Sequence, residues 1–75
     1  MQQVAIIGAA GKMGSWFTTY FARRGVQVSA FDVNRKSLKA SDHVHIARSI
    51  ADCVRDADLV LVSVPVRVAP RTIAE

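Results

Sequence analysis

The chain has 75 residues, is 51% hydrophobic and holds one cysteine, which admits one small globular domain and excludes both a disulfide-stapled secreted module and a disordered tail. Its net charge of +4 comes from ten scattered Lys and Arg with no dense basic tract, so no nucleic-acid partner is expected. No apolar run approaches bilayer length and Met1-Gln2-Gln3 is not a signal-peptide start, so no membrane partner and a cytoplasmic location are expected.

The first element is a near-continuous apolar, β-branched run over 3–7, the pattern of a parallel strand buried on both faces. It breaks into Gly8-Ala9-Ala10-Gly11-Lys12-Met13-Gly14, a G-x-x-G-x-x-G spacing one residue longer in its first gap than the commoner dinucleotide fingerprint. A strand, a glycine turn and a helix in succession is the setting in which a backbone receives a diphosphate. Glycine has no Cβ to block the ligand, and the helix start offers unpaired amides and a favourable dipole. Gly8 is expected to make the turn, Gly11 to admit the diphosphate, and Gly14 to let the helix lie on the strand. Ala10, Lys12 and Met13 join them as cofactor-contact candidates, although Lys12 also reads as a solvated charge and Met13 as packing.

Helical spacing over 12–24 predicts that Met13, Trp16 or Phe17, and Tyr20 with Phe21 face the sheet. Gly25 ends this helix as a left-handed cap. A second strand over 26–31 closes with Asp32, 18 residues after Gly14. A carboxylate there accepts the hydroxyls of an adenine ribose and repels a 2′-phosphate; the plain alternative is an Asx turn. Asn34 and Arg35 follow as further cofactor candidates, with Arg35 able to stack on adenine or to take a 2′-phosphate. The expected cofactor is NAD, with NADP its competitor.

A short helix is expected over 34–40, a third strand over 43–46, and a helix over 50–55 capped by Ser49. His43 and His45 alternate on that third strand without a third ligand nearby, so no metal site is expected. Cys53 reads as a small buried side chain. The run over 58–64 is a fourth strand stopped by Pro65, and 66–75 begins another helix. The order βαβαβαβ predicts a Rossmann-type parallel α/β sheet with strand order 3-2-1-4. Ser63, Val64 and Pro65 would then border the same crevice as the glycine turn, as contacts to the nicotinamide side or simply as a strand end.

These motifs, the glycine turn with Phe31-Asp32 and Asp58-Leu59-Val60-Leu61-Val62-Ser63-Val64-Pro65, resemble the N-terminal domain of prephenate dehydrogenases, most closely the archaeal members. The resemblance covers essentially the whole chain. It implies cofactor contacts from Gly8, Gly11, Met13, Asp32 and the segment from Ser63 to Pro65. It also implies an oxidative decarboxylation of prephenate to 4-hydroxyphenylpyruvate in tyrosine synthesis. The family's catalytic histidine and substrate-binding arginine lie in later segments, so no catalytic residue is expected here. A C-terminal catalytic and dimerisation domain is the expected partner, with a homo-oligomer in the full protein. The segment 1–75 is thus expected to be the truncated first half of a dinucleotide-binding domain, inactive and poorly autonomous alone. Three alternatives stay open: a 3-hydroxyacid dehydrogenase cofactor domain, an extended short-chain reductase, and a non-catalytic nucleotide-sensing module.

Overall fold

The computed structural model of the chain describes residues 2–63. Val64, Pro65 and the helix expected over 66–75 lie outside the described residues. The elements are β1 (Gln3–Ile7), α1 (Lys12–Arg23), β2 (Gln27–Phe31), a 3-10 turn (Arg35–Ser37), β3 (Val44–Ile46), α2 (Ile50–Val54) and β4 (Leu59–Val62). All four strands are parallel and lie in the order β3-β2-β1-β4, as the element sequence predicts.

Strand alternation divides the core between two faces. Val4, Ile6, Val28, Ala30 and Val44 are buried together, with Phe17, Phe21 and Ala22 of α1 packed on them. On the other face Ala5, Ala47 and Cys53 are buried against Ile7 and Phe31. β1 is therefore enclosed from both sides, which is why its sequence shows no polar alternation. Cys53 donates its thiol to the Ser29 carbonyl at 3.1 Å, and burial pushes its pKa above the ordinary thiol value. Its small volume and its fit to a backbone oxygen match the expected core role.

The ends of α1 follow local rules. Gly25 has φ +75°, its amide donates to Ala22 O, and the Val26 amide donates to Phe21 O, both at 3.1 Å. This is the paired closure of a left-handed helix cap, with Val26 and Phe21 both packed on the core. Ser49 caps α2 by accepting the Asp52 amide at 3.0 Å, and the Asp52 carboxylate returns to the Arg48 amide at 3.1 Å. At the far end of the sheet, Asp58 accepts the amides of Gln2 and Gln3, each at 3.0 Å, and so pins the entry of β4 to that of β1.

Three expectations need correction. Met13 is 57% exposed and Tyr20 packs on neither core cluster, so these two do not face the sheet as expected; of Trp16 and Phe17 it is Phe17 that turns inward, Trp16 being 56% exposed, and the inward residues of α1 are Gly14, Phe17, Phe21 and Ala22. Trp16 instead stacks on Tyr20 with centroids 5.2 Å apart, and the Arg24 guanidinium lies 3.8 Å from the Tyr20 ring centre. The helix expected over 34–40 is a single 3-10 turn, because Leu38 turns extended (ψ 139°) and packs on the α1-side core. β4 is shorter than expected, and its Leu59, Val60 and Val62 side chains are exposed among the described residues.

Candidate functional site

The parallel strands bring three separated segments to one edge of the sheet, at the carboxyl ends of the strands: the turn after β1, the tip of β2, and the residue after β4. Open α/β sheets bind ligands at this edge, where neighbouring strands lead away in opposite directions. Here that point lies between β1 and β4.

The turn is held chiefly by the end of β2, with one bond of its own. The amides of Gly8 and Ala9 both donate to Phe31 O, at 2.8 and 3.1 Å, and the Gly11 amide donates to Gly8 O at 3.2 Å. The Ala10 amide donates to Asp32 Oδ2 at 3.0 Å. Gly8 has φ +86°, and a Cβ there would fall on the Ser63 carbonyl, 2.7 Å from its carbon. A Cβ on Gly14 would meet the carbonyl of Gly8 and lie 2.8 Å from Ala9 Cα. Both glycines are therefore demanded by the chain's own packing, as their expected turn and helix-seating roles require.

Gly11 differs. Its backbone is extended (φ −74°, ψ 172°), a conformation open to any residue. A Cβ on it would make only an ordinary contact, 3.5 Å from Gly8 O. Nothing among the described residues demands glycine there. Gly11 also occupies the N-cap of α1 without a side-chain cap, and the first turn of the helix contains no acidic residue. Among the described residues no acceptor meets the amides of Lys12, Met13 or Gly14; the next amide, Ser15, donates to Gly11 O at 2.8 Å. Three adjacent amides without a described acceptor thus lie at the positive dipole end of α1, next to the half-buried Gly11, with Lys12 exposed beside them. A diphosphate fits this arrangement, since it supplies both the missing acceptors and the negative charge.

Asp32 stands at the tip of β2, partly buried. Its Oδ1 accepts the Asn34 amide at 2.9 Å, so the Asx turn is present, while its Oδ2 takes the Ala10 amide. Turn and ligand roles are compatible, because a carboxylate offers about four acceptor sites. Asn34 is exposed and donates its side-chain amide to Ser37 Oγ at 2.9 Å; Arg35 is exposed in the 3-10 turn. Ser63 donates its amide to Ile7 O at 2.8 Å and so continues the β1–β4 ladder beside Gly8. The structure thereby gathers Gly8, Ala10, Gly11, Lys12, Met13, Gly14, Asp32, Asn34, Arg35 and Ser63 around one edge. The Val64 and Pro65 contacts expected from the sequence fall outside the described residues. The bond between Ala10 and Asp32 had no sequence signal, because it joins residues 22 apart through a backbone amide.

Two surface hollows lie elsewhere. One, of about 460 Å³, runs between α1 and the approach to β3; the other, of about 370 Å³, is at the amino ends of β1 and β2. Neither touches the glycine turn. His45 borders the second and lies 3.6 Å from the Asp52 carboxylate. Among the described residues no helix is long and apolar enough to cross a membrane.

Comparison with known proteins agrees with this geometry. A protein-family profile described as the NAD binding domain of 6-phosphogluconate dehydrogenase matches residues 3–75. A probable arogenate/prephenate dehydrogenase of Methanocaldococcus jannaschii is 29% identical over 75 residues, an alignment covering 96% of this chain and 17% of that relative. The chain therefore spans about a sixth of the length of the curated relative it matches. No solved structure matches.

Proposed function

The chain belongs to the family of the NAD binding domain of 6-phosphogluconate dehydrogenase, an NAD(P)-binding fold, and we propose that it serves as the cofactor-holding segment of a prephenate dehydrogenase-like oxidoreductase. The observation that carries the reading is Gly11: a glycine that no described neighbour requires, at the head of a helix whose first amides have no described acceptor. A diphosphate lying across Gly11 and accepting from the amides of Lys12 to Gly14 accounts for both. Asp32 takes the adenine-ribose hydroxyls, and its negative charge disfavours a 2′-phosphate, so NAD is the proposed cofactor ahead of NADP. Arg35 and Asn34 border the adenosine end. Ser63, with Val64 and Pro65 after it, borders the nicotinamide end.

The bound nicotinamide supplies a two-electron hydride acceptor. This segment's residues bind and orient it, and the acid–base and substrate-binding groups are assigned to other segments of a longer polypeptide. The proposed reaction is the oxidative decarboxylation of prephenate to 4-hydroxyphenylpyruvate. It is supported by the motif resemblance and by the likeness to the Methanocaldococcus jannaschii protein. Calorimetric titration of the full-length polypeptide with NAD and with NADP tests the cofactor reading. Binding that is tighter for NAD and abolished by Gly11→Val is expected. Undiminished binding by Gly11→Val removes the diphosphate assignment. Assay with prephenate, arogenate and a 3-hydroxy acid separates the proposed substrate from those of related dehydrogenases.

A further inference from the structure

Resting on that dinucleotide reading, we infer that Asp32 is also a positioning residue for the glycine turn, coupling the sugar end of the site to the phosphate end through the amide of Ala10. The four amides at 8–11 divide their acceptors unevenly. Those of Gly8, Ala9 and Gly11 use main-chain carbonyls, whereas Ala10 relies on a side chain, Asp32 Oδ2 at 3.0 Å. The carboxylate is itself oriented, because its other oxygen takes the Asn34 amide at 2.9 Å. It is thus fixed on its own strand end and reaches across to the neighbouring turn. Hydrogen bonds from amides to an ionised carboxylate are the stronger class.

The acceptor count gives the coupling its form. A carboxylate offers about four lone-pair sites; two are taken by amides, leaving one on each oxygen. That remainder suits a vicinal diol. The ribose and the turn therefore share one group. Any change that pulls Asp32 from Ala10 loosens the turn one residue before Gly11, where the diphosphate must lie.

This role separates from simple sugar recognition by its sign. If Asp32 only gripped the diol, its removal would leave a ligand without sugar hydroxyls unaffected, or would favour it by deleting a negative charge near the phosphates. If Asp32 positions the turn, that ligand loses affinity as well.

The test compares ADP with 2′,3′-dideoxy-ADP on wild type, Asp32→Asn and Asp32→Ala in the full-length polypeptide, alongside amide hydrogen exchange of the ligand-free proteins. Asp32→Asn keeps one oxygen for the Asn34 turn, and so covers the case in which Asp32→Ala fails to fold. The expected result is dideoxy-ADP affinity lowered about fivefold or more in the variant. Exchange at the Ala10 amide should rise about tenfold, with the β1 amides unchanged. Unchanged Ala10 exchange together with unchanged or tighter dideoxy-ADP binding overturns the inference while leaving the dinucleotide reading intact. Absence of ADP and NAD binding by the wild type defeats the dinucleotide reading instead, and Ala10 exchange still decides whether Asp32 holds the turn.

Discussion

The carbonyl of Ser63 occupies the position that a side chain on Gly8 would need. The turn after β1 and the end of β4 therefore meet main chain to main chain.

Gly8→Ala is accordingly expected to be severe. It adds a Cβ at φ +86° and drives it into backbone that cannot step aside. Left-handed strain and overpacking together are worth roughly 3 kcal/mol. Urea unfolding of the full-length polypeptide measures this, and a loss below about 1 kcal/mol would contradict the packing described.

Gly11→Ser should separate stability from binding. Serine is at least as good as glycine in an N-cap, so stability should hold or rise by a few tenths of a kcal/mol, roughly. The same hydroxyl claims an amide of the first helical turn and its Cβ covers the approach to the main chain. Dinucleotide affinity should fall by at least about tenfold, or ~1.4 kcal/mol. Paired thermal-melt and calorimetric measurements read the two effects, and equal binding by the variant would count against the diphosphate position.

Two aromatic residues of α1 should respond in opposite measure. Trp16 is half exposed and stacked on Tyr20, so Trp16→Ala should cost about 1 kcal/mol or less. Phe21 packs on the core and accepts the Val26 amide at the helix cap, so Phe21→Ala should cost about 3 kcal/mol or more. Reversed ranking in denaturant titrations would mean that the helix meets the sheet by another face.

Acid sensitivity should trace in part to Asp58. The amides of Gln2 and Gln3 hold its carboxyl below the ordinary carboxylate value. Folding thus favours the charged form. The resulting stabilisation is complete above the unfolded value, at about pH 4, and is lost as pH falls through the lower folded-state value. Asp58→Asn should flatten the acid limb of a stability-versus-pH curve and leave its neutral region parallel to wild type. An unchanged acid limb would show that the pinning of β4 to β1 does not depend on charge.

Much of this architecture is readable from residue order. The buried run before Gly8, the left-handed stop at Gly25 and the Ser49 cap are local features, and each holds in three dimensions. Alternation of strands and helices predicts a parallel sheet, since parallel strands need crossovers; the order 3-2-1-4 came from the dinucleotide-fold pattern that the glycine turn brings with it. The face of α1 was not readable in the same way. Aromatic residues at 16, 17, 20 and 21 fit two helical meridians about 100° apart. The choice between them falls to Gly14, which lies against Gly8 and Ala9 and turns Phe17 and Phe21 inward. Leu38 likewise ended the expected helix after Asn34 through a tertiary contact. At the candidate site, the glycines and Asp32 were visible as residue types, but which glycines the chain needs for itself depends on backbone distances across strands.

Phe31 gives its single carbonyl to both Gly8 and Ala9, and Asp32 beside it takes Ala10. The loop is therefore shaped from outside, by the strand next door. An engineer transplanting the segment around Gly11 into a foreign scaffold would have to carry the Phe31-Asp32 dipeptide with it, in its original register, or the borrowed loop would arrive without its mould.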